Sequence, residues 1–121
     1  MTTPSNSNQG YVLTEIWKAR PAWNALSTEE RANYFDGEIN RFLGEMIGAG
    51  AELLACAYND NDGSERINYD YMAVWSLPSK EFSNNLEAGA KALGFLDYFE
   101  QANFSGEIIS PPVLNQLMID E

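Results

Sequence analysis

Twice along this chain a β-prone run leads into an amphipathic helical run and then into a second β-prone run, and that doubled order is what most narrows its fold. The first helix is the most sharply marked element. Ser27-Thr-Glu-Glu30 is a capping box, in which the serine hydroxyl takes the third amide of the helix while Glu30 reaches back. Behind it Phe35, Ile39, Phe42, Leu43, Met46 and Ile47 recur at spacings of three and four, opposite Glu38, Arg41 and Glu45. Gly48 and Gly50 supply the stop. Tyr11-Val-Leu-Thr-Glu-Ile-Trp17 precedes this helix as a strand, and the stretch 18–26 reads as a loop because Pro21 turns the backbone away from a continuing helix.

After the helix, Leu53 to Tyr58 reads as a strand and Asn59-Asp-Asn-Asp-Gly-Ser64 as a turn. Ile67 to Trp75 reads as the returning strand of a long hairpin. Ser79 is placed to cap a second helix carrying Phe82, Leu86, Ala90 and Leu93, which Gly94 closes. A further helical turn over 95–101 and a last strand over 104–109 complete the order β-α-β-β-α-β. Pro111-Pro112 is expected to end the regular structure. That order is the ferredoxin-like α+β fold, a four-stranded antiparallel sheet with two helices on one face. The organisation expected is a polar N-terminal tail (1–10), one domain (11–110) and a C-terminal extension (111–121).

Charge and composition remove several function classes. With 7 basic against 18 acidic residues the net charge is −11, which opposes phosphate backbones and anionic lipid, so neither nucleic acid nor a membrane is an expected partner. The chain has no histidine. Ser-His-Asp and Cys-His catalysis, His-based zinc sites and His-ligated haem are therefore closed to it. Its one cysteine, Cys56, lies in the apolar run 51–58 and reads as a small buried hydrophobe. No metal site and no cofactor are expected. Asp60 and Asp62 sit at calcium-loop spacing from Gly63, but positions one and twelve fall on Tyr58 and Tyr69, where carboxylates are required. The N-terminus lacks a basic region and an apolar stretch, so no signal peptide is read there and a cytoplasmic location is the expectation.

Strand parity adds a surface. Tyr11, Leu13, Glu15 and Trp17 share one face of the first strand, and Tyr69, Tyr71, Ala73 and Trp75 share one face of the third. With the smaller aliphatic set (Val12, Thr14, Ile16, Met72, Val74) assigned to the helices, the aromatic set is left uncovered and marks a partner or ligand surface. Glu15 is the carboxylate of that face. It either serves as a base or hydrogen-bond donor with a raised pKa, or pairs with Arg20, Lys18 or a partner's basic residue. Arg20 either stacks on Trp23 or binds a ligand oxygen. Asn103 either forms a turn or positions a ligand carbonyl. Asp70 is expected to accept local hydrogen bonds.

Three segments carry a family resemblance: Glu15-x-Trp17 with Pro21-x-Trp23, Tyr69-Asp-Tyr-Met-Ala-Val-Trp75, and Tyr98-Phe-Glu-Gln-x-Asn103-x-Ser-Gly106. Over residues 11–106 the chain resembles an uncharacterised bacterial family of the dimeric α/β-barrel superfamily, whose ferredoxin-like subunits close their sheets around a small pocket. The resemblance implies a homodimer. Members such as muconolactone isomerases, and the haem-binding members, depend on histidine, which this chain lacks. What the resemblance leaves is an analogy with cofactor-free monooxygenases that oxidise aromatic polyketides or quinols. The expected function is accordingly the binding of a small aromatic or quinol-like compound, with or without its oxidation. A non-catalytic, self-associating protein with a side-chain-filled barrel is the alternative. The pocket is expected to be walled by Trp17, Trp75, Tyr71 and Tyr98, with Glu15, Arg20 and Asn103 as polar contacts and Glu15 as the candidate catalytic group. A void of about 300 Å³ or more is expected to separate the two functions.

Overall fold

A computed structural model describes residues 10–121, so the expected tail lies, but for Gly10, outside the described residues. Strands β1 (Tyr11–Ala19), β2 (Glu52–Tyr58), β3 (Tyr71–Leu77) and β4 (Phe99–Glu107) form one sheet in the order β2-β3-β1-β4. All three pairings are antiparallel. Between β1 and β2 run α1 (Pro21–Asn24), α2 (Thr28–Tyr34), a π-helical turn (Phe35–Ile39) and α3 (Asn40–Gly48). Between β3 and β4 run α4 (Lys80–Ala92) and the single turn α5 (Phe95–Tyr98), and α6 (Pro111–Ile119) follows β4. This is a ferredoxin-like α+β fold.

The capping box forms as read: Glu30 N–H donates to Ser27 Oγ at 3.1 Å and Ser27 N–H donates to Glu30 Oε1 at 2.9 Å. The helix it starts is not one uniform rod. A π-helical turn around Gly37 interrupts it, shifting the apolar stripe so that Ile39 is buried. Gly50, with φ at +125°, turns the chain from α3 into β2, a conformation that side chains resist.

The faces of the sheet are the reverse of the expected assignment. Leu13, Ala73, Trp75 and Leu77 are buried under the helices with Ala51 and Leu86, and Tyr11, Trp17, Leu43, Met46 and Phe82 pack around them. Burial free energy scales with apolar area, so the face carrying the larger side chains gains most from being covered. The Trp75 indole also needs a hydrogen-bond partner when buried, and Glu15 supplies it from the same face. The other face, with Val12, Thr14, Ile16, Met72, Val74 and Phe104, is turned away from this core, and none of these six residues is buried.

Several boundaries also moved. β3 begins at Tyr71 rather than Ile67, because the Asn59 side chain donates to the carbonyls of Ile67 (3.0 Å) and Tyr69 (2.8 Å) and folds that stretch into the loop. In the same loop Arg66 pairs with Asp60 at 2.9 Å and holds its carboxyl below the usual range. β4 begins at Phe99, so Asn103 lies in a strand and forms no turn. Pro111 and Pro112 do not end regular structure. They open α6 behind Ser110 as N-cap, where a missing amide costs nothing.

Candidate functional site

Trp17, Trp75 and Glu15 do converge, in a cavity of about 200 Å³ between the sheet and the helices. The register explains how. Leu13 faces Trp75, Glu15 faces Ala73 and Trp17 faces Tyr71 on the neighbouring strand, so the small Ala73 leaves room between two indoles. Leu53 and Cys56 of β2 extend this floor. Phe35 and Ile39 of the π-helical segment, with Asn40, Phe42 and Leu43 of α3, form the roof, and Leu86, Ala90 and Phe95 close one side. Leu53 is 41% exposed and Cys56 is an exposed free thiol, which puts the mouth beside the edge strand β2. Cys56 is thus not the buried hydrophobe its apolar run suggests, because the outer strand has no covering element.

Glu15 is the one acid in the wall. Its Oε1 accepts from Trp75 Nε1 at 2.9 Å and its Oε2 from Gln101 Nε2 at 2.8 Å. The same Gln101 nitrogen donates to Asn103 Oδ1 at 2.8 Å, and Asn103 Nδ2 donates to Glu87 Oε1 at 2.9 Å. Burial pushes the Glu15 carboxyl up from the ordinary glutamate value. The bonds from Gln101 and Trp75 oppose that rise, and the nearby Glu87 charge adds to it. The result is a hydrogen-bonded acid held in apolar surroundings, oriented on two sides and facing a void. Such a group is suited to exchanging a proton or a hydrogen bond with a ring substituent.

The remaining residues expected at the pocket stand elsewhere. Tyr71 is exposed and packs at a tilt between Trp17 (6.0 Å) and Tyr58 (5.6 Å), lining a separate open groove under the hairpin loop. Tyr98 lies in α5 rather than in the sheet and packs outside the lining, 5.4 Å from Trp23 and 5.1 Å from Tyr34, in an aromatic cluster that meets the cavity wall at Phe35. Arg20 does not stack on Trp23. Its Nε donates to the Leu96 carbonyl at 2.9 Å, and Arg31 covers the Trp23 ring instead. Lys18 pairs with Glu100 at 3.7 Å, so Glu15 has neither Lys18 nor Arg20 as a counter-ion. Asn103 reaches Glu87 on the far side of Gln101, outside the cavity wall. Asp70 is held through its backbone, donating to the Trp17 carbonyl and accepting from Asn59.

Sequence reasoning missed Gln101. It shares its strand face with Asn103, and a strand read from Phe99 instead of Phe104 brings it opposite Trp17. Phe35, Ile39, Phe42 and Leu86 were legible as apolar helix stripes, but periodicity alone does not separate a filled core from a cavity wall. Among the described residues no three Asp, Glu, Cys or His side chains are grouped to hold a metal ion, and no helix is long and apolar enough to cross a membrane.

The model of a family of unknown function, DUF6616, matches residues 10–121. The chain belongs to that family. No curated protein matches it. Among solved structures this DUF6616 chain is similar to a candidate chlorite dismutase, at a TM-score of 0.65 and 12% identity, over 84% of its own length and 44% of the other. It therefore spans less than half of that protein. It is also similar to a protein of unknown function from Rhodopseudomonas palustris, at a TM-score of 0.54 and 13% identity, over 85% of each chain. At such identity the likeness shows the fold alone. A His-ligated haem does not fit this DUF6616 chain, which has no histidine to supply the axial bond.

Proposed function

We propose that this protein binds a small, mostly apolar aromatic molecule in the cavity between sheet and helices, with Glu15 as its one carboxyl contact. The observation that carries the reading is the wall itself: two indoles and three phenylalanine rings around about 200 Å³, with a single doubly bonded carboxyl facing in. That volume is below the size expected from sequence, yet an apolar cavity of roughly 150 Å³ is enough to bind benzene. Flat aromatic guests gain from edge and offset contacts with such walls. Titration with 4-methylphenol by calorimetry tests the reading. Saturable binding that Glu15→Gln weakens supports it, and no heat at millimolar probe contradicts it.

A cofactor-independent oxidation is the finer form of the same reading. Its support is the position of Glu15, an acid with a raised pKa placed to take a proton from a quinol-like guest. In such a step a phenol becomes a quinone: the hydroxyl and the ring carbon opposite it each lose a hydrogen, one atom of O₂ enters as the new carbonyl oxygen, and the other leaves with the two hydrogens as water. Oxygen uptake with a hydroxyaromatic substrate, lost in Glu15→Gln, is the matching assay.

Self-association belongs to the proposal too, through the face opposite the one expected. The chain carries a net charge of −11, yet Val12, Thr14, Ile16, Met72, Val74 and Phe104 give the uncovered face an uncharged centre, and Lys18 is already paired with Glu100 at its end. A second copy offers the same uncharged patch to a two-fold contact, whereas a partner chosen by charge finds nothing to read there.

A further inference from the structure

We infer that Gly89 sets the depth of the cavity by seating Phe42, and that the space so defined takes a single substituted aromatic ring; this rests on the binding reading above. Gly89 lies inside α4, three residues after Leu86 and one before Ala90, both of which line the cavity. A Cβ built on Gly89 would overlap the Cε1 and Cζ atoms of the Phe42 ring. The other glycines of the helices, Gly37, Gly44 and Gly48, would meet nothing within 4 Å. Glycine is unfavourable in a helix interior, so its presence at 89 calls for a packing reason, and the notch that admits the edge of Phe42 supplies one.

The consequence for the ligand is steric. Phe42 is itself part of the roof, so a ring pushed out of the notch changes the shape of the cavity it lines. With the ring seated, about 200 Å³ remains. This exceeds the roughly 150 Å³ that holds benzene, and so encloses one ring with one or two small substituents, whereas a fused bicycle has to project from the mouth beside β2 and buries less of itself. Of the lining groups only Glu15 and Asn40 are strongly polar, which favours a ring carrying one hydroxyl or carbonyl aimed at Glu15.

The test compares 4-methylphenol with 1-naphthol by calorimetry on the full chain. The parent is expected to bind 4-methylphenol at least tenfold more tightly than 1-naphthol. Gly89→Ala is expected to weaken 4-methylphenol at least tenfold. Phe42→Ala is expected to reverse the order in favour of 1-naphthol. The double variant Gly89→Ala/Phe42→Ala, in which the added methyl has no ring to displace, is expected to bind 1-naphthol like Phe42→Ala, and this separates displacement of the ring from loss of the fold. Unchanged 4-methylphenol binding in Gly89→Ala, equal parent affinities for the two probes, or a double variant that no longer binds 1-naphthol while Phe42→Ala does, overturns the gauge but leaves the binding reading. A parent that binds neither probe overturns both.

Discussion

The indole N–H of Trp75 donates to the carboxyl of Glu15 at 2.9 Å, from one antiparallel strand to its neighbour. The two residues are diagonal neighbours, since Glu15 faces Ala73 and Trp75 faces Leu13. This bond lets the largest buried side chain of the core and an acid occupy the same covered face. It also orients the carboxyl that lines the cavity.

The pH dependence follows from burial. Unfolded, Glu15 titrates near 4.5, and in the fold its pKa is raised. The folded state then holds more protons between those two values, so this group's contribution is complete below about 4.5 and is lost as pH rises through the folded value. Melting temperatures of the parent and Glu15→Gln, followed from acid to alkaline pH, should diverge in that window, with the variant gaining relative to the parent as pH rises. A constant difference across the range would contradict the raised pKa.

Truncation of Trp75 should be among the most damaging single changes. The side chain is 2% exposed, and Trp75→Ala is expected to cost about 3–5 kcal/mol by denaturant unfolding. Trp75→Phe keeps most of the volume but leaves Glu15 with Gln101 alone, for a smaller cost of about 1–3 kcal/mol.

Two peripheral bonds give a scale for comparison. Ser27→Ala removes the cap of α2 and should cost about 1 kcal/mol. Tyr34→Phe removes the phenol that donates to the Leu93 carbonyl at 2.9 Å and ties α2 to the end of α4, again for about 1 kcal/mol. Burial, with Glu38, Tyr98 and Asp97 nearby, pushes that phenol up to about 12, so its bond should persist throughout the neutral and mildly alkaline range. A loss of Tyr34-dependent stability below pH 9 would contradict this.

How much of this was legible depended on whether a local signal existed. The capping box at Ser27 and the N-cap at Ser79 are written in adjacent residues, and both helices start where those residues stand. The alternation that groups Leu13, Glu15 and Trp17 was equally plain. Which face the helices cover was not, because parity groups side chains without saying where a helix lies, and only the packing of Leu43, Leu86 and Phe82 decides it. Arg20, Tyr98 and Asn103 were placed at the pocket on residue type alone. Their positions follow from α1, α5 and an early start to β4, which the sequence marks weakly.

The reversed faces change the expectation for self-association. Light scattering at micromolar concentration should give about twice the 13.5 kDa chain mass. Phe104, 73% exposed on the uncovered face, is the informative position: Phe104→Asp should return the protein to a monomer without lowering its melting temperature by more than a few degrees. A folded monomeric parent would remove the proposed contact.

The claim that a ring binds between the sheet and the helices is tested most directly by the tryptophan indole N–H resonances during titration with 4-methylphenol. The chain has three tryptophans, two in the cavity wall and Trp23 behind it, against the outer side of Phe35 and 5.4 Å from Tyr98. Binding in the cavity is expected to give saturable shifts of the Trp17 and Trp75 signals with one dissociation constant, larger than the shift of Trp23, which touches the wall only through Phe35. A titration that moves Trp23 alone, or none of the three, would contradict it.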